Sequence, residues 1–112
     1  MTDILEIDHT VMLAGMGGVS YADLVVAVSE TGGFGCMGAP TMSDDELDAE
    51  MAEVRSRTAK PYGVDLLTAA GDQTVEVERI IAAGATVYVA GLGVPREVID
   101  LCHAKGVLVM NM

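Results

Sequence analysis

The sequence predicts an α/β fold in which short strands alternate with helices and pair into a parallel sheet. Five apolar runs of strand length occur along the 112 residues, and each of the first four is followed by small residues and then by a segment of helical character. The runs are continuously apolar rather than alternating, which is typical of strands buried on both faces of a parallel sheet. The units recur at roughly the spacing found in a (β/α)8 barrel of about 250 residues.

Two architectures fit this pattern of four βα units plus a fifth strand. One is a partial (β/α)8 TIM barrel, of which residues 1–112 would form the N-terminal half as a single, incomplete domain. The other is a complete five-stranded doubly wound domain. Periodicity does not separate them, but strand order does, since a doubly wound sheet reverses its order at a switch point.

The first unit is built around a glycine-rich stretch between an apolar run and a helix. Residues 11–14 are predicted to form the first strand, and the glycines at 17–18 to form the turn after it. Ser20 is predicted to be the N-cap of the first helix, which ends at the glycines of 32–33. The residues predicted to face inward from this helix are Leu24, Val25, Ala27 and Val28.

The second helix has the clearest local signals in the chain. The strand predicted at 34–38 precedes it, and Ser43 with Glu46 three residues later forms a capping box at its start. Acidic side chains fill its first turns and basic side chains its last, so both ends complement the helix dipole. Pro61 ends the helix because it cannot continue the hydrogen-bond ladder.

The rest of the chain continues the same alternation. We predict a third strand over Tyr62–Leu67 and helices over 74–83 and 95–105, with further strands over 86–90 and 107–110. A glycine follows each of these two helices, at the position where helices commonly end.

Composition and charge exclude several classes of partner. The formal net charge is -11, and a surface this acidic repels phosphate backbones and anionic lipid, so we expect no nucleic-acid and no membrane partner. The chain opens with no signal peptide and has no apolar run near the roughly 20 residues of a membrane span, so a cytoplasmic protein is expected. Cys36 and Cys102 show no metal-site spacing with His9 or His103, and Cys36 is expected to be a small core residue.

One residue stands out as a candidate for chemistry. The sequence has no nucleophilic elbow, no Walker A motif and no intact G-x-G-x-x-G after a strand. Asp65, however, lies near the carboxyl end of the third strand, where a parallel α/β fold places its site. The alternative is that Asp65 caps a helix or orders a loop, as aspartates often do.

A set of motifs in order resembles the nitronate monooxygenase family, flavin proteins also called nitropropane dioxygenases. The resemblance covers nearly the whole chain. The matching segments are Ala14-Gly15-Met16, Gly17-Gly18-Val19, Ala27-Val28-Ser29, Gly32-Gly33-Phe34-Gly35, 43–46, 60–65 and 91–95.

The resemblance implies a (β/α)8 barrel that binds FMN at the carboxyl face of its strands. It implies that Ala14, Gly15 and Met16 lie beside the flavin ring and that Asp65 occupies the flavin-contacting polar position after the third strand. Two positions depart from the family pattern. Gly15 replaces the usual proline, and Asp65 stands where relatives often have asparagine.

The resemblance also implies an activity, the oxidation of alkyl nitronates to a carbonyl compound and nitrite. The family's catalytic histidine and its FMN phosphate loops follow the fifth strand, so we assign no catalytic role to His9 or His103 and expect this segment alone to be inactive. The alternatives are an FMN-dependent enoyl-acyl carrier protein reductase and a non-catalytic α/β binding module. We expect a small-molecule substrate, no metal, and self-association through open sheet edges.

Overall fold

The computed structural model describes residues 1–67 and 73–112 and contains parallel strands that alternate with helices. The helices are α1 (Thr2–Leu5), α2 (Ala22–Glu30), α3 (Asp44–Arg57), α4 (Thr74–Ala82) and α5 (Arg96–Ala104). The strands are β1 (Gly35–Gly38), β2 (Tyr62–Leu67), β3 (Val87–Gly91) and β4 (Leu108–Asn111). The short α1 lies in the lead-in, where no element was predicted.

The sheet has the strand order of a barrel segment. The order is β1-β2-β3-β4, every pair is parallel, and each strand lies beside the next one in the chain. Residue 38 at the end of β1 pairs in register with Asp65, which pairs in turn with Val89. A doubly wound sheet would show a reversal, so the prediction of a partial (β/α)8 barrel is confirmed.

The predicted strand at 11–14 is present only as an isolated bridge. Met12 pairs in parallel with Phe34, with a hydrogen bond of 2.9 Å from Leu13 N to Phe34 O. The prediction of a full first strand was therefore wrong. The chain leaves the sheet after Leu13 because the next carbonyl, that of Ala14, accepts its hydrogen bond from the Ser20 hydroxyl at 2.7 Å.

Both faces of the sheet are buried, as the unbroken apolar runs predicted. Tyr62, Val64 and Leu66 on β2 pack outward in the same core as the helices. The inner face, which would line the barrel interior, has its own apolar cluster, closed by Leu5 from α1. That cluster consists of Leu5, Phe34, Cys36, Val87 and Val89, with Ile7, Met12 and Met110 against it. Cys36 is thus the buried core residue that was expected.

The start of α2 differs from the prediction. Its N-cap is Tyr21, with no side-chain cap, and Ser20 is fully buried below it. The first helical amide, that of Ala22, instead donates to the Glu50 carboxylate of α3 at 2.9 Å. A neighbouring helix therefore supplies the cap, which leaves the Ser20 hydroxyl for another role.

The inward face of α2 is also rotated from the one predicted. Val25 and Val26 are buried, whereas Leu24 and Ala27 are exposed, so two of the four predicted inward residues face solvent. The N-cap predicted for α3 is confirmed, since the Ser43 side chain accepts a hydrogen bond from Glu46 N at 3.2 Å. No helix in the described part of the chain has the length and apolar character needed to cross a membrane.

Candidate functional site

One buried serine, Ser20, fixes the loop that follows the isolated bridge of Met12. Ser20 Oγ accepts a hydrogen bond from Met16 N at 3.0 Å and donates one to Ala14 O at 2.7 Å. Val19 N and Ser20 N both donate to Met16 O, at 3.1 and 2.9 Å. Residues 14–20 therefore form a closed turn whose shape is fixed by backbone groups and a single hydroxyl.

This turn lies directly on the end of β1. A Cβ atom at Gly38 would lie 2.7 Å from Met16 N and closer still to the Met16 carbonyl group. Since real Cβ atoms do not approach backbone so closely, only glycine lets the Met16 backbone rest on this strand end. Met16 itself is 42% exposed.

Asp65 lies beside this contact, on the next strand. Its side chain faces the inner side of the sheet, opposite to Val64 and Leu66, and the residue is only 5% exposed. A Cβ atom at Gly15 would lie 2.8 Å from Asp65 Oδ2, so the backbone of the turn covers the carboxyl group. Oδ1 is buried and accepts no hydrogen bond within the described residues.

Burial raises the pKa of the Asp65 carboxyl from 3.8 to about 6. No lysine or arginine of residues 1–67 and 73–112 forms an ion pair with it. At neutral pH it is therefore mostly a carboxylate, and a buried carboxylate oxygen without a donor is destabilising until something donates to it. Its neighbour Cys36 stays protonated, because burial and the Asp65 charge both raise the pKa of the thiol.

Exposed apolar side chains surround this end of the sheet. We define the apolar rim as Met16, Leu67, Leu92 and Met112, whose exposed fractions run from 42% to 72%. Leu92 has a left-handed backbone with φ of 66°, and its amide donates to Met112 O at 3.4 Å. Strained backbone of this kind concentrates at ligand sites.

Gly91 lies between the apolar rim and the Asp65 carboxylate. A Cβ atom there would lie 3.0 Å from the Leu67 side chain and 3.9 Å from Asp65 Oδ1. We refer to Gly15, Gly38 and Gly91 as the glycine floor. A glycine floor, an apolar rim and one carboxylate suit a flat, mainly apolar ligand with a polar edge.

The structure brings together all four residues that the sequence predicted for a cofactor site. Ala14, Gly15 and Met16 lie on the turn, and Asp65 lies under it. That they bind a cofactor stays a prediction. His9 lies at the other end of the sheet, where its amide donates to Gly32 O at 3.0 Å.

Sequence reasoning missed the other two floor glycines and the role of Ser20. Gly38 and Gly91 each end an apolar strand, and that position was the available signal.

His103 is exposed on α5, away from the sheet interior. Among the described residues, no group of three or more His, Cys, Asp or Glu side chains could hold a metal ion.

Comparison with known proteins identifies the family of this chain. The family model described as nitronate monooxygenase matches residues 1–111. A Mycobacterium tuberculosis protein named (3aS,4S,5R,7aS)-5-hydroxy-7a-methyl-1-oxo-octahydro-1H-indene-4-carboxyl-CoA dehydrogenase is 34% identical over 110 residues, which is 98% of this chain and 31% of that protein. A probable nitronate monooxygenase of Staphylococcus haemolyticus is 39% identical over 66 residues, 59% of this chain and 18% of that protein.

Solved structures show the same fold. FabK from Thermotoga maritima superposes with a TM-score of 0.89 at 32% identity, over 98% of this chain and 35% of that one. Nitroalkane oxidase from Streptomyces ansochromogenes gives 0.81 at 24% identity, over 98% and 41%, which supports the fold alone. The chain spans about a third of the length of the relatives that match it along its whole length.

Proposed function

Because this chain belongs to the nitronate monooxygenase family, we propose that it forms one side of the FMN site of a flavin-dependent oxidoreductase. The observation that carries the proposal is the stacked arrangement at the carboxyl ends of the strands. There the 14–16 turn lies on Gly38, and the Asp65 carboxylate lies beneath it with one oxygen unpaired. Ligands of barrel enzymes bind at this end of the strands.

The residues present fit one face of a flavin. Gly15 and Gly38 let the turn pack closely on Asp65 and on the end of β1, and the apolar rim would keep water from a flat ring bound there. FMN, when bound, would accept the electrons of the substrate, and the protein would position both. Asp65 Oδ1 is then the group of this chain that accepts a hydrogen bond from the ligand.

The substrate class we favour is an alkyl nitronate, oxidised with molecular oxygen to a carbonyl compound and nitrite. The family and the staphylococcal relatives support it by name. The test is nitrite release from a nitronate by a complete barrel that contains this chain. Absence of nitrite from a protein with bound FMN would contradict this substrate class.

A second candidate is a flavin oxidoreductase that acts on an acyl thioester. The observation in its favour is that the mycobacterial relative, named as a CoA-ester dehydrogenase, matches 98% of this chain, whereas the staphylococcal match covers 59%. An FMN-dependent enoyl-acyl carrier protein reductase is the form we consider. NAD(P)H-dependent reduction of an enoyl thioester, without nitrite release, would favour it over the first candidate.

The chain by itself is expected to bind FMN weakly. The flavin phosphate carries up to about two negative charges, and the chain carries a net charge of -11. The basic residues at the end of α3 cannot help, because that helix end leads into the amino end of β2, away from the floor. Ring contacts alone then give roughly millimolar affinity.

Fluorescence titration measures this affinity directly. FMN at low concentration is titrated with the chain, and riboflavin, which lacks the phosphate, serves as the matched control. We expect weak quenching of both, with FMN bound no more tightly than riboflavin. Micromolar binding of FMN, but not of riboflavin, would show that this chain binds the phosphate and would overturn the expectation of weak binding.

We also propose that the chain self-associates through its sheet edges. Within the described residues, β4 pairs only with β3, and the segment at 11–14 pairs only with Phe34. Unpaired strand edges favour pairing with another chain, against the repulsion of the net charge. Light scattering at micromolar concentration is expected to show a dimer or larger species, and a monodisperse monomer would contradict it.

A further inference from the structure

Gly15 and Asp65 form a direct contact at the centre of the proposed site. A Cβ atom at Gly15 would lie 2.8 Å from Asp65 Oδ2 and closer still to Asp65 Cβ. Asp65 Cβ is fixed by β2, which is hydrogen-bonded on both sides. A side chain at position 15 therefore cannot coexist with the present position of this carboxyl group, and either the turn or the aspartate must move.

The Gly91 side of the carboxyl group is less crowded than the Gly15 side. A Cβ atom at Gly91 would stand 3.9 Å from Oδ1, and Oδ1 is buried and accepts no hydrogen bond from the described residues. Among the described residues, the titratable groups whose pKa the Asp65 charge raises are Cys36 on β1 and Tyr88 on β3. Burial raises the pKa of both groups, so both stay protonated near pH 7. Oδ1 accepts no hydrogen bond from either of them.

We propose that Gly15 is a positioning residue, whose lack of a side chain keeps the Asp65 carboxylate under the turn so that Oδ1 accepts a hydrogen bond from an N–H group of the flavin ring. The proposal rests on the proposed function for the identity of the ligand. The coupling between residues 15 and 65 is geometric and does not depend on the proposed function.

An ionised carboxylate only accepts hydrogen bonds, whereas a protonated one also donates. Ligand affinity through Oδ1 is therefore higher when Asp65 is ionised. Since the pKa of Asp65 is about 6, affinity rises as the pH increases through this value. An asparagine at position 65 still offers an acceptor oxygen but removes the dependence on pH.

The first experiment measures the pKa of Asp65 in the whole chain by NMR of the carboxyl carbon. Gly15→Ala is compared with Gly17→Ala, a matched control in the same turn, where a Cβ atom meets the Thr41 side chain, with its methyl group at 3.3 Å. In Gly15→Ala the displaced turn admits water, so the pKa of Asp65 falls toward its ordinary value of 3.8. In Gly17→Ala it stays where it is. Equal pKa values in the wild type and Gly15→Ala would overturn the positioning role.

The second experiment needs no Gly15 variant and so does not depend on that variant folding. Riboflavin is titrated with the wild-type chain and with Asp65→Asn at about pH 5 and pH 8, below and above the Asp65 pKa. Riboflavin has no phosphate, so its own charge stays constant. We expect about fivefold tighter binding at the higher pH in the wild type and no change in Asp65→Asn. Binding without pH dependence overturns the role of Oδ1, whereas no binding at all overturns the flavin site and leaves the NMR result to decide on Gly15.

Discussion

Two buried serines lie at opposite ends of the first βα unit, and each makes the same two kinds of hydrogen bond. At the carboxyl end of the strands, Ser20 Oγ links Met16 N and Ala14 O. At the amino end, Ser29 Oγ accepts from Gly35 N and donates to Pro61 O, both at 3.2 Å. Each hydroxyl thus satisfies one backbone donor and one backbone acceptor.

Their surroundings differ. Around Ser29 the structure is closed, since Gly35 is packed under α2 and Phe34 and Tyr62 beside it are fully buried. Around Ser20 the turn carries the exposed Met16 and Val19, and Asp65 Oδ1 below it accepts no hydrogen bond from the described residues. The amino end therefore stabilises the fold, while the carboxyl end leaves groups available to a ligand, a division of roles common in (β/α)8 barrels.

Alanine substitutions at two strand glycines should show this contrast most strongly. In Gly35→Ala the new Cβ lies 2.6 Å from Ser29 Oγ and closer still to the Val25 carbonyl oxygen, both held inside the core. We expect a loss of about 3 kcal/mol in the free energy of unfolding. In Gly38→Ala the clash is with the Met16 backbone of an exposed turn that can shift outward, so a loss of about 1 kcal/mol is expected. Urea denaturation measures both, and equal losses would mean that the two ends are equally rigid.

Removing the Asp65 charge should stabilise the protein in a way that depends on pH. The folded pKa is about 6 and the unfolded value 3.8, so between these values the folded state binds more protons and stability falls as the pH rises. Above pH 6 the cost approaches about 3 kcal/mol. Asp65→Asn should therefore raise the free energy of unfolding by up to that amount at neutral pH and leave it unchanged below about pH 4. A stability difference that is the same at every pH would refute this account.

The serines themselves give a smaller difference. Ser29→Ala leaves two buried backbone groups unpaired, and we expect a loss of about 2 kcal/mol. Ser20→Ala frees groups in a turn that water can reach, so about 1 kcal/mol is expected. Thermal unfolding of the two variants side by side measures this, and a larger loss at Ser20 would reverse our interpretation of the two ends.

An exposed ion pair should contribute least to the free energy of unfolding. Arg57 at the end of α3 pairs with Asp23 on α2 and with Glu53, and its side chain is 39% exposed while that of Asp23 is 95% exposed. Exposed pairs are screened by water and salt, so Arg57→Ala should leave the midpoint of urea denaturation almost unchanged. A marked loss that disappears in high salt would show that α2 and α3 depend on this pair.

Local signals determined the alternation and much of the layout of the site. Ser43 begins α3 as predicted, and the buried apolar runs indicated a parallel sheet. The same alternation placed the turn at 14–16 and Asp65 at the carboxyl ends of two strands, and the structure brings them into contact. The helix cap and the apolar runs depend on residues within one turn or one strand of each other, so the sequence displays them directly.

Only the tertiary structure decided which groups satisfy one another. Glu50 from α3 caps α2, and Ser20, free of that role, draws the Ala14 carbonyl out of the sheet and shortens the first strand to a bridge. The register of β1 with β2 set Gly38 beside Asp65, whose Oδ1 accepts no hydrogen bond from the described residues. No local pattern encodes such pairings, because they join groups far apart in the chain, and their geometry exists only once the helices and strands have packed.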